Sequence, residues 1–364
     1  MDSLICRQSV AKTLYVGYRL KEAFRVRRSD TRLALEHRSR FYTELWRDAA
    51  FRLGASVEVL GNEILEIRLG QVCTRVQQNT TAIDRVIDVA VTVNKPLVHR
   101  LLTKHQLRTP AYCEFTLTEM AKAAAFVESS DSKCVVKPAN GGGGRGVTTG
   151  VTGTFGLIRA AASAAVYGQD LMVEQHVHGD VYRLLYLDGM LMDAVLRKPS
   201  AVIADGKSTV RELIRLENAA RLNAGPGLAH ALVGIDTDVQ NTLANQGLTL
   251  STVPTEGMAI TLKTVINDNS QQDNFKAKHL LCKSIIEDGA AAAAALGVRL
   301  AGIDVITPDP SIPLAESGGV ILEVNTTPSY HHHYHKRDGS YPVAVHLLPL
   351  LLAYGVADQH IPAA

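Results

Sequence analysis

The chain has 364 residues, of which 46% are hydrophobic and 20% charged, as in an ordinary globular protein with roughly two or three domains. Its formal net charge of +2 gives no strong electrostatic preference, so nucleic acid is not a favoured partner. Because no run of about 18 apolar residues, no basic-then-apolar leader and no CxxC pair occurs, we expect a cytoplasmic protein with reduced thiols, no membrane span and no signal peptide.

In chain order, an arginine-rich stretch comes first, at residues 19–40. A solvated helix or loop is its simplest interpretation, and a basic binding patch is the alternative. Apolar residues at helical spacing then predict helices at Phe41–Leu53, Lys95–Leu107, Thr118–Val127, Phe155–Tyr167, Ser208–Asn218, Phe275–Leu296 and Val343–Tyr354. Apolar runs of strand length predict strands at Val57–Leu60, Ile64–Ile67, Cys134–Lys137, Asp170–Glu174, Val181–Leu187, Leu191–Leu196, Ile303–Ile306 and Val320–Val324. This mixture predicts an α+β fold rather than a doubly wound sheet.

Turn and cap residues mark several ends of these elements. Gly54 and Gly297 are predicted to end the helices that precede them, and Thr118 to cap the N-terminus of another. Gly61-Asn62 and Asp188-Gly189 predict tight turns between consecutive strands.

The strand that ends at Lys137 opens into a glycine run, Gly141–Gly144, followed by Arg145 and Gly146. Glycine lets the backbone approach a ligand and donate N–H groups to anionic oxygens, and a lysine supplies a point charge for phosphate. The run is neither a Walker A loop nor a dinucleotide fingerprint, and a flexible turn is the alternative interpretation. The pattern indicates phosphate binding of another kind.

Oxygen-bearing side chains follow two downstream apolar strands. Asp304 lies in one strand, and Glu323 and Asn325 lie two residues apart in the next, so these two share a face. Oxygen-only ligands suit Mg²⁺, which bridges substrate phosphates. A solvated carboxylate at a strand end is the alternative, and the lysine–glycine loop upstream weakens it.

Further ordered segments accompany these two. They are Arg75-Val76-Gln77, Thr80-Thr81-Ala82, Asn94–Leu102, Val135–Pro138, Val173–His176, Tyr182–Leu185, Ala204–Val210, Ala301–Val305 and Leu322–Pro328. From about Phe41 onwards, the set resembles the ATP-grasp ligases, and most closely the ATP-grasp half of cyanophycin synthetase. The resemblance implies an ATP-grasp fold in which two α+β subdomains grip ATP. It divides the chain into an N-terminal domain at 1–94, a central lid domain at 95–172 and a catalytic domain at 173–364.

The resemblance also implies a role for each site residue. It implies that ATP phosphates are contacted by Lys95 and Lys137. It implies that the lid over the γ-phosphate is formed by Gly142, Gly143, Gly144, Arg145 and Gly146. Adenine and ribose contacts fall to Glu174, Val177 and Asp180, and two Mg²⁺ ions to Asp304, Glu323 and Asn325. Catalytic contacts to phosphate or carboxylate fall to Arg183, Arg197 and Lys263.

The chain departs from the cyanophycin pattern at several points. Val181 stands where an acidic residue is usual, and the adjacent Asp180 is its candidate substitute. Residues 267–272 (Asn-Asp-Asn-Ser-Gln-Gln) replace a glycine-containing segment, and Ser329 replaces a glycine. The sequence stops at Ala364 without the Mur-ligase-like half and its P-loop, so we expect a stand-alone ligase that makes one amide bond.

A histidine cluster, His331–His335, follows the second acidic motif directly. Successive residues cannot all converge on one ion, so we favour a substrate pocket formed by Ser329, Tyr330, His331 and His333. A metal site is the alternative. Some of these imidazoles are candidates to bind a substrate carboxylate or to take a proton from the amine.

Together these features predict an ATP- and Mg²⁺-dependent carboxylate–amine ligase that acts through an acyl phosphate and releases ADP and phosphate. We expect amino-acid or short-peptide substrates, a peptide or γ-glutamyl product, and a homodimer. The alternatives are a glutathione-synthetase-like enzyme, an enzyme that modifies a protein tail, and a silent nucleotide-binding protein.

Overall fold

The computed structural model describes residues 9–19, 29–224, 232–266, 270–354 and 356–357. Outside these ranges lie residues 1–8, where no signal peptide is expected, residues 20–28 of the arginine-rich stretch, residues 267–269 of the unusual segment and the end at Ala364. The described helices are α1 (9–19), α2 (Ser29–Leu53), α3 (Val86–Val93), α4 (Lys95–Lys104), α5 (Met120–Ser129), α6 (Gly153–Ala164), α7 (Val210–Asn223), α8 (Thr237–Asn245), α9 (Lys283–Ala295), α10 (Leu314–Ser317), α11 (His331–Tyr334) and α12 (Val343–Ala353). None of them has the length and apolar character needed to cross a membrane.

Strands form separate antiparallel sheets. They are β1 (Ser56–Gly61), β2 (Ile64–Leu69), β3 (Val72–Gln77), β4 (Tyr112–Phe115), β5 (Cys134–Pro138), β6 (Thr148–Val151), β7 (Leu171–Gln175), β8 (Asp180–Leu187), β9 (Met190–Arg197), β10 (Ala201–Ile203), β11 (Ala259–Thr261), β12 (Asn274–Lys276), β13 (Leu300–Thr307), β14 (Val320–Asn325) and β15 (Val356–Ala357). Their orders are β1-β2-β3-β15, β4-β7-β5-β6, β12-β9-β8-β13-β14 and β10-β11. Antiparallel sheets with helices on their faces agree with the predicted α+β class.

The N-terminal sheet packs against α2 and α12. The apolar spacing of α2 places Trp46 in the centre of this core, fully buried, where its indole N–H donates to the Gln78 carbonyl at 2.7 Å. Gly54, at φ +70°, ends the helix as predicted. This core also includes Leu185 and Leu187 of β8, so it joins the N-terminal region to the larger sheet.

The central sheet β4-β7-β5-β6 is covered by α5 and α6, and Ala11 of α1 lies in the same core. Strand β7 crosses the predicted boundary between residues 172 and 173. We therefore propose that the central domain ends after Gln175. A small module, unanticipated from the sequence, packs β10-β11 against α7 and α8 around its own core.

Two local predictions are wrong. The helix predicted at Phe275–Leu296 begins at Lys283, because Asn274–Lys276 instead pairs as β12 with β9, and pairing with another strand outweighs local helical spacing. The cap of α5 is Glu119 rather than Thr118. The Asp188-Gly189 turn is confirmed, since both residues have the positive φ that a tight hairpin requires (49° and 78°).

Gly289 of α9 contacts Tyr186 of β8 so closely that a Cβ there would lie 2.7 Å from the tyrosine Cζ. We expect Gly289→Ala to lower the free energy of unfolding, because overpacking costs about 1–3 kcal/mol and the gain in helix propensity is only about 1 kcal/mol. Urea denaturation measures the change. Gly156→Ala in α6 is the matched control, because its nearest neighbour, Val151 Cγ1, is 3.8 Å from the added Cβ. Equal effects of the two substitutions on the free energy of unfolding would contradict the view that Gly289 makes room for Tyr186.

Candidate active site

A cavity of about 930 Å³ lies between the central sheet and the sheet containing β13 and β14. Most residues that the sequence singled out line it: Lys95, Lys137, Gly142, Gly143, Gly144, Arg145, Glu174, Val177, Asp180, Arg183, Arg197, Asp304, Glu323, Asn325, Ser329 and His331. The structure therefore places the glycine loop and the downstream acidic strands around one cavity, although they are more than 150 residues apart in sequence.

Four predicted site residues do not line this cavity. Lys263 is buried and pairs with Asp236 at 2.8 Å, and Tyr330 is fully buried in the N-terminal core, where its hydroxyl donates to the Asn79 carbonyl. His333 is also fully buried and bonds to Asp193. At Gly146 an added Cβ would lie 2.6 Å from Tyr167, so this glycine allows the end of the loop to pack against the residues after α6. Their predicted contacts with ligands are not supported by these positions.

The β5–β7 pair holds a buried ion pair at one wall. Lys137 Nζ donates to Glu174 Oε1 at 2.6 Å, and both side chains are at most 6% exposed. Antiparallel pairing sets Val135 opposite Glu174, which makes Lys137 its diagonal neighbour. Within the described ranges, Glu174 Oε2 has no hydrogen-bond partner. The Glu174 carboxylate therefore holds Lys137 in place, a role that the sequence did not indicate.

After β7, Val177 lines the cavity, and β8 begins at Asp180. Asp180 is half-exposed, and both of its carboxylate oxygens accept from Lys198 Nζ at 2.7 Å. Val181 lines the cavity beside it. The ribose role for Asp180 stays a prediction and would require Lys198 to share this carboxylate.

Lys95 connects the glycine loop to the acidic strands. It opens α4 after Asn94, whose side chain caps the helix by accepting from Leu97 N at 2.8 Å. Its ammonium donates to the Gly141 carbonyl and lies 3.4 Å from Glu323 Oε1. Burial lowers the pKa of Lys95, while Glu323 acts to raise it. The lysine is thus placed between the loop and the predicted metal ligand.

The small module is attached to the loop side of the cavity through Asp238 at the start of α8. Its fully buried carboxylate accepts from the Thr149 hydroxyl at 2.8 Å, from Thr264 N at 3.1 Å and from Val265 N at 3.1 Å. Thr149, Thr264 and Val265 all line the cavity. This one carboxylate therefore fixes β6, which follows the glycine loop, relative to the segment after β11.

Asp304 and Glu323 lie directly opposite each other on β13 and β14, and Asn325 faces Gly302. Arg183, opposite Asp304 on β8, donates to both of its oxygens at 2.6 and 2.7 Å. Burial lowers the pKa of Arg183, but the Asp304 carboxylate outweighs this and raises it. This bidentate pair occupies the carboxylate that the sequence assigned to magnesium.

Gly302 makes room for that pair. An added Cβ would lie 3.0 Å from Arg183 Nη1 and 2.8 Å from Pro328 Cβ. Any side chain at Gly302 would thus displace the arginine.

The donor set fits a hard cation. In the described residues no group of three His, Cys, Asp or Glu side chains is placed to hold a metal ion. The candidate set is therefore the one predicted from the sequence, Asp304 and Glu323, which are opposite each other across β13 and β14, with the Asn325 amide. Mg²⁺ retains several waters and is held in proteins by one or two carboxylates plus substrate phosphates. Two carboxylates and an amide next to a phosphate-type loop agree with that requirement.

The histidine cluster forms α11 and divides between two environments. His331 and His332 line the cavity, with ring centroids 4.4 Å apart, whereas His333 Nδ1 bonds to Asp193 at 2.8 Å. Lys336 Nζ donates to the same Asp193 oxygen at 2.7 Å. Burial lowers the pKa of His332 well below its usual value, and Arg197 and Arg183 lower it further, so this ring is neutral at pH 7. His332 thus presents a neutral imidazole to the cavity, and among the described residues no group of three His, Cys, Asp or Glu side chains is placed to hold a metal ion.

Sequence reasoning missed some cavity residues. Arg38, Asn79 and Thr149 lie outside the loop and acidic motifs that it weighed, and His332 was passed over for its neighbours. His176 also lines the cavity. For Arg38 the only signal was the arginine-rich stretch, which indicated a region and not a residue.

Several known proteins are similar to the chain, although no protein-family profile matches it. Cyanophycin synthetase of Trichormus variabilis is 27% identical over 337 residues, covering 88% of this chain and 36% of that protein. The bifunctional glutathione biosynthesis protein GshAB of Mannheimia succiniciproducens is 28% identical over 290 residues, covering 77% and 38%. The crystal structure of a bifunctional glutathione synthetase from Pasteurella multocida shares the fold, with a TM-score of 0.52 and 23% identity over 83% of this chain and 42% of that one. The chain thus spans about two fifths or less of these relatives.

Proposed function

We propose that this chain, which has the ATP-grasp fold and is related to cyanophycin synthetase, is an ATP- and Mg²⁺-dependent ligase that joins a carboxylate to an amine. One observation carries the proposal. A single cavity combines Lys95, Lys137 and the glycine loop on one side with Asp304, Glu323 and Asn325 on the other. Cations and backbone N–H groups that face oxygen ligands are what phosphoryl transfer requires, since it depends on positioning and charge neutralisation.

The proposed reaction has two steps. A substrate carboxylate oxygen attacks the γ-phosphorus of ATP, the bond to the bridging oxygen breaks, and ADP leaves. The amine then attacks the acyl carbon and phosphate leaves, while the amine loses a proton. Lys95 and Lys137 hold phosphate oxygens, and the loop covers the acyl phosphate against water. Bound Mg²⁺, held by Glu323, Asp304 and Asn325, would neutralise charge on the transferred phosphoryl group.

The relatives support one finer part of the proposal, the class of substrate. Both cyanophycin synthetase and GshAB suggest substrates of amino-acid or short-peptide size. We propose two Mg²⁺ ions, because the acidic motif resembles that of the ATP-grasp ligases. The homodimer and the cytoplasmic location remain predictions. Light scattering of the purified chain tests the dimer.

A phosphate-release screen tests the function. The purified chain is incubated with ATP, Mg²⁺ and pairs of amino acids, and products are identified by mass. We expect phosphate release that depends on both a carboxylate and an amine, with one amide formed per phosphate. The absence of amine-dependent phosphate release with every pair would contradict the ligase, and the absence of any phosphate release would favour the silent nucleotide-binding alternative. Activity on a protein substrate rather than on free amino acids would favour the alternative of an enzyme that modifies a protein tail.

A further inference from the structure

We propose that Arg38, on the N-terminal helix α2, binds the substrate carboxylate that is not activated. The inference rests on the proposed ligase function and deepens it, because it assigns a residue to the recognition of the substrate. Arg38 belongs to the arginine-rich stretch at 19–40, so the inference assigns substrate binding to one residue of that stretch. The substrate class that follows is an amino acid or short peptide with a carboxylate beyond the reacting one.

Arg38 is held in position against the cavity. Its Nη2 donates to Asn79 Oδ1 at 3.3 Å, and its guanidinium carbon lies 5.8 Å from the centroid of the Tyr42 ring. Asn79 in turn donates to the Thr327 carbonyl, and the Tyr42 hydroxyl is 3.3 Å from Ser329 Oγ. The guanidinium is therefore oriented by neutral groups, and no described carboxylate pairs with it.

The other cations of the cavity wall differ in this respect. Lys137 pairs with Glu174, Lys95 lies near Glu323, and Arg183 and Arg197 share Asp304. Arg145 belongs to the glycine loop, where phosphate is expected. In the part of the chain that the structure describes, Arg38 has no acidic partner. A half-buried guanidinium with open donors is the group that binds a carboxylate bidentately.

Its position relative to the proposed reaction centre fits a small substrate. Along β14 and the loop after it, Glu323 contacts Lys95, and Thr327, four residues later, contacts Asn79 beside Arg38. Four residues span at most about 14 Å when fully extended. Glu323 and Thr327 are therefore at most about 14 Å apart along one wall of the cavity that Arg38 also lines, a span on the scale of a short peptide.

The test measures recognition of a carboxylate directly. Wild type, Arg38→Gln and the control Arg40→Gln are titrated calorimetrically, in the presence of Mg²⁺ and ADP, with glutamate, aspartate and alanine and with each of their carboxamides. Arg40 is exposed on the same helix, two residues along and on another face. We expect wild type and Arg40→Gln to bind at least one carboxylate about 10- to 100-fold more tightly than its carboxamide. In Arg38→Gln this ratio should fall close to one. The α- and γ-amides of glutamate show which carboxylate is held.

A ratio in Arg38→Gln that equals the wild-type ratio would overturn the inference, and so would the absence of any such preference in wild type. Circular dichroism and thermal melting of each variant confirm folding, and Arg38→Lys, which keeps the charge, should retain part of the preference. Failure of the ligase function is seen separately, as the absence of amine-dependent phosphate release by wild type. If wild type shows amine-dependent phosphate release while the carboxylate preference of Arg38→Gln equals that of wild type, the role of Arg38 is rejected and the ligase function stands.

Discussion

Glu323→Gln is expected to lower the rate of ADP formation by about 10²- to 10³-fold, the range seen when one group that stabilises transition-state charge is removed. The reason lies in the distribution of hydrogen bonds between the two acidic residues. Both oxygens of Asp304 accept from Arg183, whereas among the described residues the ion pair of Glu323 is the longer contact with Lys95, at 3.4 Å. Glu323 is therefore the carboxylate better able to bind Mg²⁺, and glutamine removes its charge without changing its size.

The measurement is ADP formation at saturating ATP over a range of Mg²⁺ concentrations, together with urea denaturation. Because Glu323 is partly exposed and its contact with Lys95 is long, the free energy of unfolding should change little. Glu316→Gln, on the exposed helix α10, is the same chemical change away from the cavity and should leave both quantities unaltered. Undiminished ADP formation by Glu323→Gln would reject the magnesium assignment.

The strands that hold the site could be predicted because each is a mostly apolar run in the local sequence. The apolar runs at β5, β7, β8, β13 and β14 were all anticipated, and their polar ends converge on the cavity. Strand β6 (Thr148–Val151) was missed because it carries two threonines and a glycine, so its strand character depends on pairing with β5. The same dependence on a distant partner turned the start of the predicted helix at Phe275 into β12.

Site residues could be predicted where chemistry and sequence order coincide, as for the lysines, the glycine loop and the acidic strands. Two of the four failures, Lys263 and His333, are titratable residues whose partners are remote in sequence. Lys263 pairs with Asp236, and His333 bonds to Asp193, 140 residues away, so each side chain is engaged outside the cavity lining. Arg38 was hidden for the converse reason, because a residue on a helix carries no local sign that it lies opposite an active site.

Lys137→Met is expected to abolish ADP formation and also to lower the free energy of unfolding, by about 3–5 kcal/mol, because it leaves the buried Glu174 carboxylate without its counterion. The second carboxylate oxygen already lacks a hydrogen-bond partner among the described residues, so no other hydrogen bond there replaces the one from Lys137. Lys133→Met, at an exposed position just before β5, provides the matched control and should affect neither quantity by more than a small amount.

The double variant Lys137→Met/Glu174→Gln separates the two roles of this lysine. Neutralising both partners removes the uncompensated charge, so most of the lost stability should return, as happens when a buried ion pair is replaced as a unit. Activity should not return, because the cation that contacts phosphate is still absent. Urea denaturation and ADP formation measured on the same preparations decide between the outcomes. Recovery of ADP formation in the double variant would show that Lys137 acts only through Glu174, and full stability of the single variant would show that the ion pair does not hold this wall of the cavity together.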